Sequence, residues 1–476
     1  MTLEKFKQIV EYIGECIKDS EFENHCYCVG GCVRDLLMGN EIKDVDMCVS
    51  LPDGGIKLAE FLHAKKFLTR PPVVYPTYGT AMFKFKKFNQ DEIECVYTRG
   101  EQYHDKDSRN PVTSFASIEE DCFRRDFTCN ALYMNANTGE ILDLTGKGVD
   151  DINAGICRVT NENPDVVFSD DALRILRGIR FSCKYNFHIE DETMKSMIKN
   201  VGRLEIITQE RITDEFNKMM MTNDPARALC LLMYTGAIKY VVPELKETVG
   251  MTQNDFHFGT VWEHTLGVVE NNAAKERNGK VKAYLPVRLA CVFHDLGKIK
   301  TRTVGEDGRV HFYNHETVGA DIVREIMIKM RYPNSITDEV CFYIRNHMVT
   351  KSWGDDISHM KIKTLRKLMY KCKTEERFIN LMEVIDADNN AHKKEHCLPN
   401  QVINIVDAMK KEIQDNTSMF GYKLPIDGND VMEVLGIEPG PNVKKYLEHC
   451  IKMAFNNPNL TKEDCIKEIK HFKLNE

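Results

Sequence analysis

The stretch that most constrains this chain is Cys28-Val-Gly-Gly-Cys-Val-Arg-Asp-Leu-Leu-Met-Gly39, continuing through Glu41-Ile-Lys-Asp-Val-Asp-Met-Cys-Val49. It reads as the end of an apolar strand, a two-glycine turn, a short helix, and a second strand carrying Asp44 and Asp46. Strand side chains alternate with a period of two, so both carboxylates project from one face, where they can share a hard cation. Gly30 and Gly31 let the backbone approach a phosphate closely, and the helix that follows presents free N–H groups toward it. Phosphate and metal would meet here. Singly, glycine pairs occur in many turns and Asp-x-Asp is commonly a solvated strand end; the chemical reading rests on their combination.

Gly-Gly-x-Val-Arg-Asp, followed nine residues later by Asp-x-Asp, resembles the nucleotide-binding signature of the tRNA nucleotidyltransferase and bacterial poly(A) polymerase family, within the polymerase-beta-type nucleotidyltransferases. The resemblance implies an α+β fold: an N-terminal nucleotidyltransferase head, with a mixed sheet and helices, then an all-α neck, an HD-type body and a tail. The expected boundaries are 1–158, 159–225, 226–400 and 401–476. It also implies that Asp44 and Asp46 hold Mg2+ and that Gly30, Gly31 and Arg34 bind a triphosphate.

A chain of 476 residues is too long for one core and suggests roughly three domains. The hydrophobic fraction of 42% is ordinary for a globular protein, and no run of ~18 apolar residues exists to span a membrane. Met1-Thr-Leu-Glu-Lys-Phe-Lys7 opens an amphipathic helix without an apolar secretory core, so a cytoplasmic location is expected. The 17 cysteines are scattered through apolar segments, which suits buried free thiols in a reducing compartment. Cys26, Cys28 and Cys32 are close enough to suggest a metal knuckle, although Cys28 and Cys32 flank the glycine turn. A net charge of -8 argues against blanket electrostatic binding of nucleic acid, so RNA contacts should rest on local patches. One candidate is Lys361, Lys363, Arg366, Lys367, Lys371 and Lys373, with the solvated face of a helix as the plainer reading.

Phe6, Ile9, Val10, Ile13 and Ile17 recur at a helical period and predict a leading amphipathic helix. Another helix is expected near 56–66. Tyr78-Gly-Thr-Ala-Met-Phe-Lys-Phe-Lys86 and Ile93-Glu-Cys-Val-Tyr-Thr-Arg99 read as neighbouring strands. They would set Glu94 beside the aspartate pair as a third carboxylate; in isolation it would face solvent. Between Arg99 and Asp121 the chain is rich in turn formers and charges and predicts a mobile loop. The family implies that a loop here, with an Arg-x-Pro element like Arg109-Asn-Pro111, helps to change nucleotide preference.

Asp121-Cys-Phe-Arg-Arg-Asp-Phe-Thr-Cys-Asn-Ala131 resembles the family's Arg-Arg-Asp-Phe-Thr-x-Asn-Ala. Guanidinium forks donate bidentately to phosphate. With the resemblance, this assigns Arg124, Arg125, Asp126 and Asn130 to nucleotide binding; a surface ion-pair cluster is the alternative. Thr145-Gly-Lys-Gly148 lacks the remaining Walker spacing and is not a P-loop.

Ser169-Asp-Asp-Ala-Leu-Arg-Ile-Leu-Arg-Gly-Ile-Arg-Phe181 predicts a helix capped by Ser169 with two acids in its first turn. Asp171 and Arg174, three apart, would share a face. A carboxylate accepts from the exocyclic amine of cytosine or adenine and a guanidinium donates to the ring nitrogen, so the pair can serve as a protein template. An i,i+3 salt bridge worth ~0.2–0.5 kcal/mol is the alternative. The segment resembles the family's Glu-Asp-x-x-Arg-x-Leu-Arg-x-x-Arg-Phe, with Asp170 in place of the usual Glu. Gln209-Glu-Arg-Ile-Thr-Asp-Glu-Phe216 resembles the neck element Glu-Arg-x-x-x-Glu, through Glu210, Arg211 and Glu215, which would brace the reading helix. Arg177 and Arg180 would reach the triphosphate or the RNA backbone, with a neck salt bridge as the alternative for Arg180.

From about Asp255 histidines gather: His257, His264, His294, His311, His315 and His347. His264, His294-Asp295 and Asp386 resemble the His…His-Asp…Asp set of HD-domain metal phosphohydrolases. Imidazole and carboxylate together suit a divalent cation, with Ni2+, Mn2+ and Mg2+ as candidates, which would polarise a phosphoryl oxygen. His315 and His347 are auxiliary candidates; in some relatives the same fold only holds RNA. Ile426-Asp-Gly-Asn-Asp430 lacks EF-hand spacing, and the tail resembles a family element whose implied partner is tRNA, with a structural cap as the alternative.

The expected activity is template-independent addition or repair of the 3′-terminal CCA of tRNA with CTP, ATP and Mg2+, reading RNA by shape along the acceptor arm. The rivals are a poly(A) polymerase of the same family, a metal-dependent phosphohydrolase with a nucleotide-sensing N-terminal half, and a non-catalytic RNA-binding protein.

Overall fold

The computed structural model describes residues 1–88, 90–102, 112–254 and 259–472. They form two compact units, Met1–Pro243 and Glu244–Glu476.

In the first unit the helix Leu3–Ile17 buries Phe6, Ile9, Val10, Ile13 and Ile17, the stripe that the helical period marks out. These residues join one core with apolar side chains of the sheet and of the helix Gly54–Ala64. The sheet draws on β1 (Cys26–Val29), β2 (Val45–Val49), β3 (Val73–Tyr75), β4 (Thr80–Phe83) and β5 (Ile93–Tyr97). Next come β6 (Arg99–Gln102) and β7 (Val112–Phe115), which pair only with each other, and then β8 (Tyr133–Asn135) and β9 (Ile141–Leu142). The seven sheet strands run in the order β3-β4-β5-β2-β1-β8-β9. β2 and β5 are parallel, setting Asp46 opposite Glu94; the other neighbours are antiparallel, so the sheet is mixed.

The polar stretch after Arg99 is a ribbon rather than a loop along its described length. Main-chain pairing of β6 with β7 is indifferent to its polar side chains. Residues Arg109, Asn110 and Pro111 lie outside the described residues, as do Asp255 and His257. The motif beginning at Asp121 starts inside a helix, Ile118–Phe123, capped by a reciprocal Ser117–Glu120 box. Beyond the sheet the unit is helical, apart from a short parallel ribbon of Ile156–Cys157 with His188–Ile189.

The second unit is mainly helical, with one antiparallel ribbon, Arg302–Val304 with Val310–Phe312. The tail helices Gly428–Leu435, Pro441–Ala454 and Lys462–His471 have their own small core around Val431, Cys450, Cys465 and Ile469. Asp427 caps the first of them, accepting from the N–H groups of Asn429 and Asp430, which accounts for its acidic cluster without an ion. In the basic run 361–373, Arg366 is buried, bonded to Glu412 and to the carbonyls of Phe455 and Asn456, so it braces the tail and leaves the proposed patch. All cysteines are free, and all but Cys230 and Cys397 are buried. Among the described residues no helix is long and apolar enough to cross a membrane.

Gly55 lies where the helix Gly54–Ala64 crosses β5. A Cβ there would fall 2.7 Å from the Cys95 carbonyl oxygen and 2.8 Å from the Val96 Cα. Backbone cannot move aside as a flexible side chain can, so Gly55→Ala should lower stability by about 1–3 kcal/mol, an overpacking cost read as a fall in Tm by calorimetry.

Candidate active site and metal centre

The glycine turn and both arginine motifs face one cleft of about 670 Å3 in the first unit. Gly30 caps the helix Gly31–Leu37 at φ 71°, a conformation that suits glycine. Gly31, Arg34, Asp44, Asp46, Arg124, Arg125, Asp126, Asn130, Asp171, Arg174, Arg177 and Arg180 line the same cleft, as do Arg99, Lys184 and Arg211. Glu94 does not line it, but stands next to Asp46 across the β2–β5 pairing.

Asp46 is reachable by solvent, yet the protein around it strips away enough water to raise its carboxyl to about 6, with the charges of Glu94 and Asp44 adding to the effect. Negative charge is therefore concentrated where an oxygen-only donor set suits a hard cation such as Mg2+. The three head carboxylates do not converge as tightly as the histidine groups of the second unit, whose donor atoms all lie within 4.8 Å of one another.

Opposite them, two networks fix the cations. Asp121, 1% exposed, receives Arg124 at 2.6 Å on one oxygen and Arg125 at 2.9 Å on the other, with the Tyr133 hydroxyl donating at 2.6 Å. Burial alone would raise its carboxyl, but the two guanidiniums outweigh burial and hold it well below the usual carboxylate range. The second network runs from Asp35 through Arg34 and Asn130 to Asp126, which Arg177 meets at 2.7 Å. Asp126 sits at about 2, because Arg177 and Arg174 overcome its burial. Asp121, which motif matching passed over, positions both arginines: it precedes them by three and four residues, a helical spacing that signals the pairing.

The helix expected to read the base differs in detail from the sequence expectation. Ser169 lies in the last turn of a preceding helix, Pro164–Asp170, and its hydroxyl donates to the Val166 carbonyl. Asp171, extended at φ -143°, follows that helix and itself accepts from the Leu173 N–H, opening the helix Leu173–Tyr185. Asp171 and Arg174 do not pair with each other. Asp171 meets Arg211 at 2.8 Å, and the buried Arg174 donates to the carbonyls of Val167 and Arg124. Arg180 meets Glu215 at 2.6 Å, so Arg211 and Glu215 of the helix Gln209–Met220 both hold the segment Asp171–Arg180.

In the second unit, His264, His294 and Asp295 form one group of donors that could hold a metal, and Asp295, His315 and His347 another, sharing Asp295. Each ring turns Nδ1 to a main-chain carbonyl, of Ala391, Cys291, Phe312 and Ile344 respectively. That fixes Nε2 toward the centre, as a metal-ligating imidazole requires. The Nε2 atoms face one another at 3.4 Å for His264 and His294 and at 3.3 Å for His315 and His347, close spacings that a cation between them would relieve. Asp295 Oδ2 is buried, 2.7 Å from the Lys298 ammonium and 3.2 Å from His294 Nε2. These features fit a bound divalent cation. Burial, with His294 and His315 nearby, pushes His347 down to about 3, keeping it neutral and able to ligate.

Asp386 is not in this cluster. It pairs with Lys275 and accepts from Asn390, whereas Asp388 Oδ1 lies 3.0 Å from His264 Nε2. Two residues apart on the helix Glu375–Asn389, the two carboxylates point about 200° apart at 3.6 residues per turn. Lys351, 3.0 Å from Asp388, and His392 complete the surroundings.

Residues 26–158 match the Poly A polymerase head domain, 186–248 the "Probable RNA and SrmB- binding site of polymerase A", and 261–409 the HD domain. The Multifunctional CCA protein of Neisseria meningitidis serogroup B is 30% identical over 393 residues, spanning 78% of this chain and 84% of the relative. The chain belongs to the tRNA nucleotidyltransferase/poly(A) polymerase family. Within that family it is also 26% identical over 426 residues to the A-adding tRNA nucleotidyltransferase of Deinococcus radiodurans, spanning 88% of this chain and 89% of the relative. The Bacillus stearothermophilus CCA-adding enzyme in complex with CTP shares the fold of this family member at a TM-score of 0.69 and 22% identity, with 98% of this chain and 97% of that chain covered. The Thermotoga maritima CCA-adding enzyme complexed with tRNA superposes at 0.54 and 18% identity, with 98% and 94% covered.

Two measurements test these sites. A cation at Asp46 must displace the proton that this carboxyl holds below about 6. The part of Mn2+ binding lost in Asp46→Asn, followed by electron paramagnetic resonance, should therefore be full above neutral pH and weaken about tenfold per unit well below pH 6. Metal analysis of the purified protein should show bound transition metal reduced in Asp388→Asn and retained in Asp386→Asn.

Proposed function

We propose that this enzyme completes or repairs the 3′-terminal CCA of tRNA from CTP and ATP with Mg2+, in the cytoplasm. One observation carries the reading: a single cleft gathers the glycine turn, the Asp44–Asp46 pair, both arginine networks and the Asp171–Arg174 segment. The named relatives and solved neighbours, CCA-adding and A-adding, support it. We assign the head to 1–158, the neck to 159–225, the body to 226–400 and the tail to 401–476.

In this reading Asp44 and Asp46, with Glu94 in support, would hold Mg2+, whose chemistry there would be to acidify the RNA 3′-hydroxyl and to offset charge on the reacting phosphate. The 3′-oxygen bonds to the α-phosphorus, the bond to the bridging oxygen breaks, its electron pair leaves with pyrophosphate, and the hydroxyl proton passes to solvent. Gly30 and Gly31 admit the triphosphate close to the backbone, while Arg34, Arg124, Arg125 and Arg177, positioned by Asp35, Asp121 and Asp126, face its oxygens. Asp171 accepts from the exocyclic amine of cytosine or adenine, and Arg174 donates to the ring nitrogen. Uracil and guanine present a carbonyl and an N–H at those positions and leave both protein groups mispaired. Arg211 and Glu215 keep the reading segment in place, with Arg180 tied to the neck.

The paired donor groups around Asp295 favour a second activity in the body, hydrolysis of a phosphate ester, with Lys298 and Lys351 near the donors. Asp44→Ala with Asp46→Ala should abolish nucleotide transfer and leave any such hydrolysis intact.

Incubating the protein with tRNA lacking its CCA end, and with each NTP separately and together, tests the main reading. The expected result is two C residues with CTP alone and a complete CCA with CTP and ATP. A-addition only to tRNA ending in CC would make it an A-adding enzyme, and long A-tails a poly(A) polymerase.

A further inference from the structure

Arg34, Arg177 and Arg180 line the nucleotide cleft, and each has one carboxylate partner: Asp35, Asp126 and Glu215 respectively. Two aromatic rings also lie among them. Phe181 and Tyr185 stand one turn apart on the helix Leu173–Tyr185 and stack with their centres 6.1 Å apart and their planes at 21°. The guanidinium carbons of Arg34, Arg177 and Arg180 lie 5.4, 5.4 and 4.3 Å from the centre of the Phe181 ring. That of Arg34 lies 4.3 Å from the centre of Tyr185.

We propose that Tyr185 is a positioning residue for the triphosphate: its ring seats the face of the Arg34 guanidinium and keeps it against the glycine turn. The inference rests on the proposed transfer reaction and adds to it a residue that does not itself line the cleft. Arg34 is 4% exposed. The edges of its guanidinium are taken, with Nε donating to Asp35 at 3.0 Å, Nη2 2.9 Å from the same carboxylate and Nη1 donating to Asn130. The flat faces remain, and a guanidinium face is weakly hydrated and stacks readily on an aromatic ring. A Cβ on Gly31 would fall 3.4 Å from Arg34 Nη2, so the group held in this way borders the turn that admits the phosphates.

A ring suits this place better than another carboxylate. An aromatic face attracts a cation through its quadrupole and carries no net charge. It therefore holds Arg34 without cancelling the charge offered to a phosphate, whereas a further anion would repel the triphosphate. The Tyr185 hydroxyl is engaged elsewhere, accepting from the Lys184 ammonium at 2.6 Å. Ring and hydroxyl can thus be separated by substitution.

The test compares Tyr185→Leu, which removes the ring, with Tyr185→Phe, which removes only the hydroxyl, in steady-state C and A addition by the full chain. Tyr185→Leu should raise KM for CTP and ATP by a common factor, at most roughly thirtyfold, the whole worth of one desolvated cation–π contact. It should change kcat little and leave the preference for CTP over UTP intact, and Tyr185→Phe should return KM to the unsubstituted value. Calorimetric binding of inorganic triphosphate, which needs no transfer, should weaken in Tyr185→Leu by the same factor. Should circular dichroism show Tyr185→Leu unfolded, Tyr185→Met removes the ring with a more adaptable side chain. A lower Tm with unchanged KM and unchanged triphosphate affinity would make Tyr185 a packing residue and overturn the inference. Equal losses in Tyr185→Phe and Tyr185→Leu would also overturn it, by placing the effect on the hydroxyl. Absence of C addition by the unsubstituted protein, with triphosphate binding still dependent on the ring, would instead remove the transfer reading beneath it.

Discussion

Asp126 joins the two halves of the nucleotide cleft. Through Asn130 it reaches Arg34 on the helix that follows the glycine turn, and by direct contact it holds Arg177 on the helix Leu173–Tyr185. A phosphate-facing element and the element proposed to read a base are thus tied by one buried carboxylate, 7% exposed. Removing one partner of such a buried ion pair costs about 3–5 kcal/mol, because the other charge is left unmatched. Asp121 does the same for the adjacent arginines, and the two together set the positive wall that faces Asp44 and Asp46. Positive charge is held rigid on one side of the cleft, while carboxylates crowd one another on the other.

Much of this was legible in the sequence, where local chemistry decides local structure. The glycine turn and the helical stripe from Phe6 to Ile17 each lead directly to the observed element, whereas the strand expected to carry both aspartates starts at Val45, so it holds Asp46 and leaves Asp44 in the segment just before it. The parallel neighbour that brings Glu94 to Asp46 was legible only as an adjacency, because strand order is a non-local property. Ser169 misled for a related reason: a serine before acids is a good cap, but Pro164 starts a helix earlier, and the chain breaks at Asp171 instead. The polar ribbon after Arg99 escaped because its strands are stabilised through main-chain pairing, without an apolar alternation to betray them.

The body shows where pattern matching stops. His264, His294 and Asp295 were recoverable from their order, yet Asp386 and Asp388 are chemically identical in a single sequence. Which one turns inward depends on how the helix Glu375–Asn389 packs, and Lys275 takes the other. Lys351 and His392 reach the same cavity from separate segments, with no spacing to announce them. The head and the body thus use different designs: solvent-reachable carboxylate oxygens across a cleft from fixed arginines in one, and buried imidazoles locked by main-chain carbonyls in the other.

The central claim is that the protein itself, and no nucleic-acid template, selects the base through Asp171 and Arg174. Single-turnover incorporation of CTP against UTP, by the unsubstituted enzyme and by Asp171→Ala, tests it most directly. The account predicts strong preference for CTP in the former and its collapse in the latter, with incorporation of both nucleotides still requiring Asp46. Undiminished preference for CTP in Asp171→Ala would contradict it.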